Sequence, residues 1–441
     1  MSQSKLPKLS LFPIATSVDT RGHLHIGGCD TVELTQKYGT PLYVFDELTI
    51  RSKCQEFRTE FTRLYPNTLV IYASKAFLNR ALALILKEEG LGLDIVSGGE
   101  LSVAQSVDFP PDKVYFHGNN KTVDELKMAL NWRIGRIIVD NFYELDLIDK
   151  LAGEIGIKQN ILLRLTPEVD PHTHRHTTTG TLDTKFGFPL STGQANMAIA
   201  QAMSASNLNF MGLHFHLGSP IPETSPYQLA IDLALRLAKE MKVKHNFDLK
   251  EFNPGGGFAI KYTSGSSTPS ISKYAEDIVS KLIDVTDRLE LPHPQLIVEP
   301  GRSIVGQAGV ALYTVGAIKE IPGIRRYVCI DGGMGDNIRP ALYEAGYEAL
   351  VANKVSEEES TKVTIAGKYC ESGDILIKDV TMASTSAGDI IAIPVNGAYS
   401  IPMANNYNMV PRPAIVMVRD GTARLIRKRE SYQDLMRLDS T

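Results

Sequence analysis

Between about residue 43 and residue 300 the chain alternates short apolar runs with amphipathic stretches, and this alternation restricts the possible folds more than anything else in the sequence. The runs are LVIYA (69–73), LDIV (93–96), KVYF (113–116), RIIVD (136–140), ILLRL (161–165), FMGLHF (210–215), LKEFN (249–253) and QLIVE (295–299). A strand buried on both faces of a parallel sheet reads as a continuous apolar run, and the intervening helices cover those faces. Boundary signals agree: Gly90 follows ALALILKEE as a helix stop, and Thr122 with Glu125 forms a capping-box pattern before LKMAL. Eight β/α units in about 250 residues imply α/β architecture closed into a (β/α)8 TIM barrel. An open doubly wound sheet would show the same alternation, because periodicity does not report closure.

After Gly301 the pattern changes. The runs GVALYTVGAI, RRYVCID, DIIAIPV and AIVMVRDGTARLIRK read as strands, the last with Asp420-Gly421 as a hairpin turn, and helical periodicity nearly disappears. The segment IATSVDTRGHLHIGG near the start has the same character. This predicts a barrel over residues 43–302 and an all-β second domain, a β-sandwich, formed by both chain ends (1–42 and 303–441). A chain of 441 residues is long enough for two such cores.

Composition narrows the partners. With 46 Lys+Arg against 50 Asp+Glu the formal net charge is -4, and no basic cluster suits a phosphate backbone, so nucleic acid is not expected. No apolar stretch reaches the roughly 20 residues of a membrane span, and MSQSKLPKLSLFP lacks the features of a signal peptide. A cytoplasmic protein is expected, with no membrane partner. Cys29, Cys54, Cys329 and Cys370 show neither CxxC spacing nor a disulfide framework.

Working residues of such a barrel sit at the carboxyl ends of its strands. Lys75 of YASKAF follows the first strand, Asp94 lies in the second, and His214 and His216 close the sixth. Gly255, Gly256 and Gly257 of NPGGGF follow the seventh, and Glu299, Gly301 and Arg302 of EPGR follow the eighth. A lysine in a barrel mouth can join an aldehyde as a Schiff base, pyridoxal phosphate included, and the glycine run offers backbone N–H groups to a phosphate. A buried Glu299 opposite a pyridine nitrogen would keep that ring protonated, and Arg302 could bind phosphate or carboxylate through its planar fork. Each residue also has a plain structural reading: a solvated lysine, a turn-filling glycine run, a strand-end ion pair. His214-Phe215-His216 raises a rival, since H-x-H on a strand suits a metal, and His172, His174 and His176 repeat the spacing. A metal-dependent barrel hydrolase would use those histidines but leaves Lys75 and the glycines without a role.

The motifs together resemble the barrel-type pyridoxal phosphate decarboxylases over most of the chain. The resemblance rests on YASKAF, GLGLDIVSGGEL, VDPHTHRHTTTGTLDTKFGF, GLHFHLGS, NPGGGF, EPGRSIVGQAG, DGGMGDNIRPALYEA, CESGDIL and GAYSIPMANNYN, in that order. It implies pyridoxal 5'-phosphate as cofactor, an amino acid as substrate, and a homodimer with active sites at the subunit interface. Residue by residue it implies Lys75 as the Schiff-base lysine, His216 stacked on the ring, and Asp94, Ser219, the three glycines, Glu299 and Gly301 around the cofactor. Arg302, Arg339 and Tyr343 would take substrate carboxylates, Glu371 an ammonium, and Tyr399 both cofactor and substrate. Cys370 would donate a proton from the partner chain. Arg339 favours a substrate whose far end is a carboxylate over an ornithine-type diamine. Phe77, Pro220 and Ser400-Ile401-Pro402 depart from the family pattern without removing a needed chemical group.

Overall fold

The computed structural model describes residues 7–170 and 179–440; His172, His174 and His176 lie outside them. The chain divides into two compact units, one of Cys54–Ala259 with Thr268–Gly301, the other of Met1–Lys53, Ile260–Ser267 and Arg302–Thr441.

The first unit contains the eight expected strands: β1 Thr68–Ala73, β2 Gly92–Ile95, β3 Val114–Phe116, β4 Arg136–Val139, β5 Gln159–Thr166, β6 Leu208–Phe215, β7 Glu251–Asn253 and β8 Gln295–Val298. Every neighbouring pair is parallel. The ring closes where β8 meets β1, with Leu296 opposite Thr68 and Val298 opposite Val70, so the open-sheet alternative falls away. Inside, Ile71, Tyr115, Ile138, Leu162 and Ile297 form one buried cluster with Leu69 and Met211 packed on it. Each such side chain contributes about 1.5–3 kcal/mol by leaving water.

The helices form where the pattern places them. Asn79 caps Arg80–Glu88 by accepting from the Leu82 N–H, the helix buries Leu82, Ala83, Ile85 and Leu86, and Gly90 turns the chain out at φ +78°. Thr122 and Glu125 make the expected reciprocal capping box at the head of Val123–Asn131. Because each strand is short and its helix returns the chain, the eight strand ends converge at one mouth.

The second unit is mostly sheet. Gly309–Ile321 pairs antiparallel with Arg325–Ile330, with Ile390–Ile393 and with Leu42–Asp46, and Leu42–Asp46 pairs in parallel with Ala414–Arg419. The boundary read at residue 43 therefore falls inside a strand of this sheet. All five residues of LYVFD are buried, and their hydrogen-bonding partners are strands from the far end of the chain. Ala414–Arg419 and Thr422–Arg427 form the expected hairpin, Asp420 at φ +48° and Gly421 at φ +74° making its turn. One apolar core, including Phe12, Leu24, Leu42, Val310, Ile390 and Val416, joins both chain ends. Among the described residues no helix is long and apolar enough to cross a membrane, and all four cysteines are free thiols.

Candidate active site

The barrel mouth is built from the ends of β1, β2, β3, β6, β7 and β8. Lys75 stands exposed on the single turn Ser74–Ala76 that follows β1. Asp94 lies buried in β2, and its carboxyl is raised by burial, a rise that His117 opposes and Glu299 reinforces. Glu100, one turn beyond β2, is pushed up to about 7, chiefly by burial. The Lys75 ammonium acts on both carboxyls, and after burial it is the leading influence holding His216 well below its ordinary value. The amine therefore faces the same end of the barrel as these groups.

Glu299, directly after β8, is the electrostatic centre. It is 4 % exposed, and Asn253 donates to its Oε1 at 2.6 Å. His117 Nε2 lies 3.2 Å from Oε1 and His214 Nε2 lies 3.4 Å from Oε2. Burial alone would push this carboxyl up, but the two imidazoles more than reverse the effect and hold it well below the usual carboxylate range. His214, inside β6, is drawn down to about 4, mainly by burial. The arrangement is an ionised carboxylate beside a neutral imidazole.

The loop after β7 explains its glycines. A Cβ on Gly256 would sit 2.0 Å from the Glu299 carbonyl oxygen, and one on Gly255, at φ +76°, 2.5 Å from the Phe215 carbonyl oxygen. Only glycine lets this loop tuck between the ends of β6 and β8. Gly255 N–H donates to Asn253 Oδ1 at 2.9 Å, and Gly256 N–H to His216 Nδ1 at 3.3 Å. That second bond fixes the half-buried ring of His216, whose backbone oxygen accepts from the Thr179 hydroxyl at 2.7 Å. Gly301 packs on β1, where a Cβ would come 3.0 Å from that of Ala73. Ser219 lies in the loop after β6, half-buried.

A planar pyridine aldehyde with a phosphate tail fits this set. Glu299 offers a buried negative charge to a ring nitrogen, Lys75 an amine to an aldehyde, and the glycine loop a backbone surface without side chains that a phosphate can approach closely. Asp94 Oδ1, His117 Nε2 and both ring nitrogens of His214 are buried without an aligned hydrogen-bond partner. Buried polar atoms in that state are uncommon in proteins. His117, His214 and Glu299 also lie close enough to one another to hold a metal, and among the described residues His216 does not join that group.

The sheet unit carries a second cluster. Arg302 opens the short helix Arg302–Val305 and Arg339 opens Arg339–Tyr343, both buried. Tyr343 ends that second helix. The Arg302 guanidinium lies 4.7 Å from the Tyr399 ring centre and 5.6 Å from that of Tyr262. That of Arg339 lies 4.4 Å from Tyr262 and 5.4 Å from Tyr347. Tyr399 adopts φ +59°, a left-handed conformation costly for a side chain with a Cβ and concentrated at functional sites. Cys370 and Glu371 sit on an exposed turn of this unit. Cys370 N–H donates to Asn408 Oδ1 at 3.0 Å, and Glu371 Oε1 accepts from Gly373 N–H at 3.2 Å.

Sequence reasoning missed His117, Asn253, Tyr262 and Tyr347. His117 directly follows β3 in VYFHGNN, so the strand-end rule points to it as well. Asn253 lies within the glycine motif itself. The two tyrosines carry no local signal.

A closed (β/α)8 barrel that gathers an amine, a buried ionised carboxylate and a glycine cradle at its strand ends is an enzyme scaffold suited to a phosphorylated aldehyde cofactor. Residues 47–306 match the family model described as pyridoxal-dependent decarboxylase, pyridoxal binding domain. The chain belongs to the pyridoxal-dependent decarboxylase family: it is a carboxy-lyase whose cofactor is pyridoxal phosphate. A diaminopimelate decarboxylase of Bacillus subtilis is 47 % identical over 418 residues, covering 95 % of each chain. The crystal structure of diaminopimelate decarboxylase from M. jannaschii in co-complex with L-lysine is similar at TM-score 0.91 and 37 % identity, over 97 % of this chain and 98 % of that one. The Helicobacter pylori diaminopimelate decarboxylase complexed with L-lysine is similar at TM-score 0.85 and 32 % identity, over 93 % of this chain and 99 % of that one.

Proposed function

We propose that this chain decarboxylates meso-2,6-diaminopimelate at its D centre, releasing CO2 and leaving L-lysine, the last step of lysine formation. The observation that carries this reading is the pair of buried guanidiniums, Arg302 and Arg339, set against a shared tyrosine, a receptor suited to a substrate with two carboxylates. The relatives named diaminopimelate decarboxylase, and those with L-lysine bound, support the same substrate.

When bound, pyridoxal phosphate supplies an aldehyde for the substrate amine and a ring that withdraws the electron pair left by departing CO2. Lys75 would hold the cofactor through its amine. Glu299, held ionised and oriented by His117, His214 and Asn253, would supply its negative charge to the ring nitrogen. His216, fixed through Gly256, would pack on the cofactor ring; Asp94, Ser219, Gly255, Gly256, Gly257 and Gly301 would complete the cradle, and Tyr399 would serve both cofactor and substrate. Arg302, Arg339 and Tyr343 take the carboxylates and Glu371 the distal ammonium.

The Cys370 thiol would be the proton donor to the carbon that loses its carboxylate. The exposure of Cys370 and Glu371 suits a pair that reaches into a partner's site, so the working unit is a homodimer. Four free cysteines suit a reducing, cytoplasmic setting.

The test is turnover by the pyridoxal-loaded protein of meso-diaminopimelate against ornithine, arginine and carboxynorspermidine. Lysine and CO2 should form from the first at a kcat/KM at least a hundredfold above the others. Preference for any of the others would replace this reading with that substrate.

A further inference from the structure

Tyr399 keeps a backbone conformation that its surroundings must enforce. At φ +59° a residue with a Cβ is strained, and it stays there only where its neighbours leave it no other choice. The burial pattern shows the same pressure: from 389 to 401 every residue is buried except Tyr399. One side chain is thus turned out of a stretch that otherwise packs inward.

The ends of the loop 396–400 supply the constraint. The Ser400 hydroxyl donates to Asn396 Oδ1 at 3.1 Å, so the loop that carries Tyr399 is closed side chain to side chain. Asn396 Nδ2 donates to the Ile393 and Pro394 carbonyl oxygens at 3.1 and 3.2 Å, which fixes the amide that accepts this bond. The backbone is held at the same end, with Asn396 N–H donating to the Gly309 carbonyl oxygen at 2.8 Å and Gly397 N–H to that of Gly306 at 3.0 Å. A Cβ on Gly397 would come 1.7 Å from the Val305 carbonyl oxygen, so the chain runs flush against its neighbour just before the tyrosine.

Asn396 also reaches the loop of Arg339. Asn337 Nδ2 donates to the same Oδ1 at 2.8 Å, and Asn337 Oδ1 accepts from the Arg339 N–H at 3.3 Å, where the helix Arg339–Tyr343 begins. Beyond Ser400, the Asn405 N–H donates to the Gly335 carbonyl oxygen at 2.8 Å. Asn337, Asn396 and Ser400 are no more than 1 % exposed, and every polar atom of their side chains is bonded. Apolar residues could fill such a place, whereas a fully satisfied polar knot rigidifies it into one arrangement.

We infer that Asn396 and Ser400 are positioning residues: their clamp holds Tyr399 in its left-handed conformation and, through Asn337, in register with Arg339, so that the tyrosine meets cofactor and substrate already oriented. The inference rests on the reading above that Tyr399 serves both.

The experiment removes the clamp with and without the side chain it positions. Ser400→Ala deletes the hydroxyl but leaves Asn396 Oδ1 its bond from Asn337, so no buried acceptor is orphaned and Tm should hold. The dissociation constant of pyridoxal phosphate, read from the visible band on dilution, and the KM for diaminopimelate should each rise about fivefold, the size of one neutral hydrogen bond, while kcat changes less than KM. Ser400→Gly, which also loosens the backbone beside Tyr399, should shift both constants at least as far and serves if the alanine variant folds poorly. Tyr399→Ala should raise both constants further than Ser400→Ala does, and adding Ser400→Ala to it should move neither again, because the clamp acts through that side chain. Equal shifts with and without the tyrosine, or no shift from either Ser400 variant, would overturn the clamp while leaving the role of Tyr399 intact. Tyr399→Ala that changes neither constant would instead overturn the reading of Tyr399, and this inference with it.

Discussion

Glu299→Gln isolates the charge at the centre of the barrel mouth. The amide is isosteric, so its oxygen can still accept from Asn253, which now donates at 2.6 Å, and the fold should be unaffected. What disappears is the negative charge that His117 and His214 sustain from 3.2 and 3.4 Å. A charge pair about 3 Å apart at an effective dielectric of about 20 interacts by roughly 5 kcal/mol. The amide dipole retains part of that, leaving about 3 kcal/mol lost where the ring must hold an extra electron pair, or roughly 150-fold in rate. The assay is steady-state CO2 release together with the visible spectrum. We expect kcat to fall about a hundredfold, KM to change little, and the visible band to persist, because Lys75 and the glycine loop are untouched. Activity within about threefold of wild type, with cofactor bound, would show that Glu299 does not serve the ring nitrogen.

Lys75→Ala should abolish the visible band of the bound cofactor without lowering Tm, since the side chain is exposed and outside the packed core; a protein that stays yellow would remove Lys75 as the anchor. Cys370→Ala should lower kcat at least tenfold with the cofactor spectrum intact, and mixing it with Lys75→Ala should restore part of the activity through hybrid dimers. Unchanged kcat would end the proton-donor role, and no recovery on mixing would count against a shared site. Asp336, buried and accepting from the Gly333 N–H at 3.1 Å, is pushed up to about 7, chiefly by burial. Its neutral form is the one the fold favours, so its contribution is full below its unfolded pKa near 3.8 and is lost as pH rises through about 7, roughly 4 kcal/mol in all. Asp336→Asn should therefore raise Tm at pH 8, and that advantage should shrink by about half or more by pH 5; a gap independent of pH would refute the assignment.

The barrel and its mouth were legible because their signals are local. A buried strand announces itself in five or six consecutive residues, and Lys75, Asp94, His216 and Glu299 are found by their position at the end of one. His117, which directly follows β3, obeys the same rule. Tyr262 and Tyr347 were out of reach for a different reason. Tyr262 meets Arg302 across 40 positions of sequence, and nothing around either tyrosine marks it as the partner of a cation. Leu42–Asp46 shows the same limit at the level of the fold. LYVFD reads as a strand, but that it pairs with residues 309–312 and 414–418 is decided by long-range packing.

That pairing has a consequence for how the protein is made. The strand Leu42–Asp46 lies between Gly309–Ile321 and Ala414–Arg419 in the finished sheet, so it emerges from the ribosome long before either neighbour exists. At about 5–20 residues per second it waits tens of seconds with Leu42 and Val44 uncovered. Seven of the eight barrel pairings join strands that follow one another in the barrel's chain order, and the eighth, between β8 and β1, becomes available by residue 298, before Gly309 is made. The sheet unit, stitched from the two extremes of the chain, is then the last part to close.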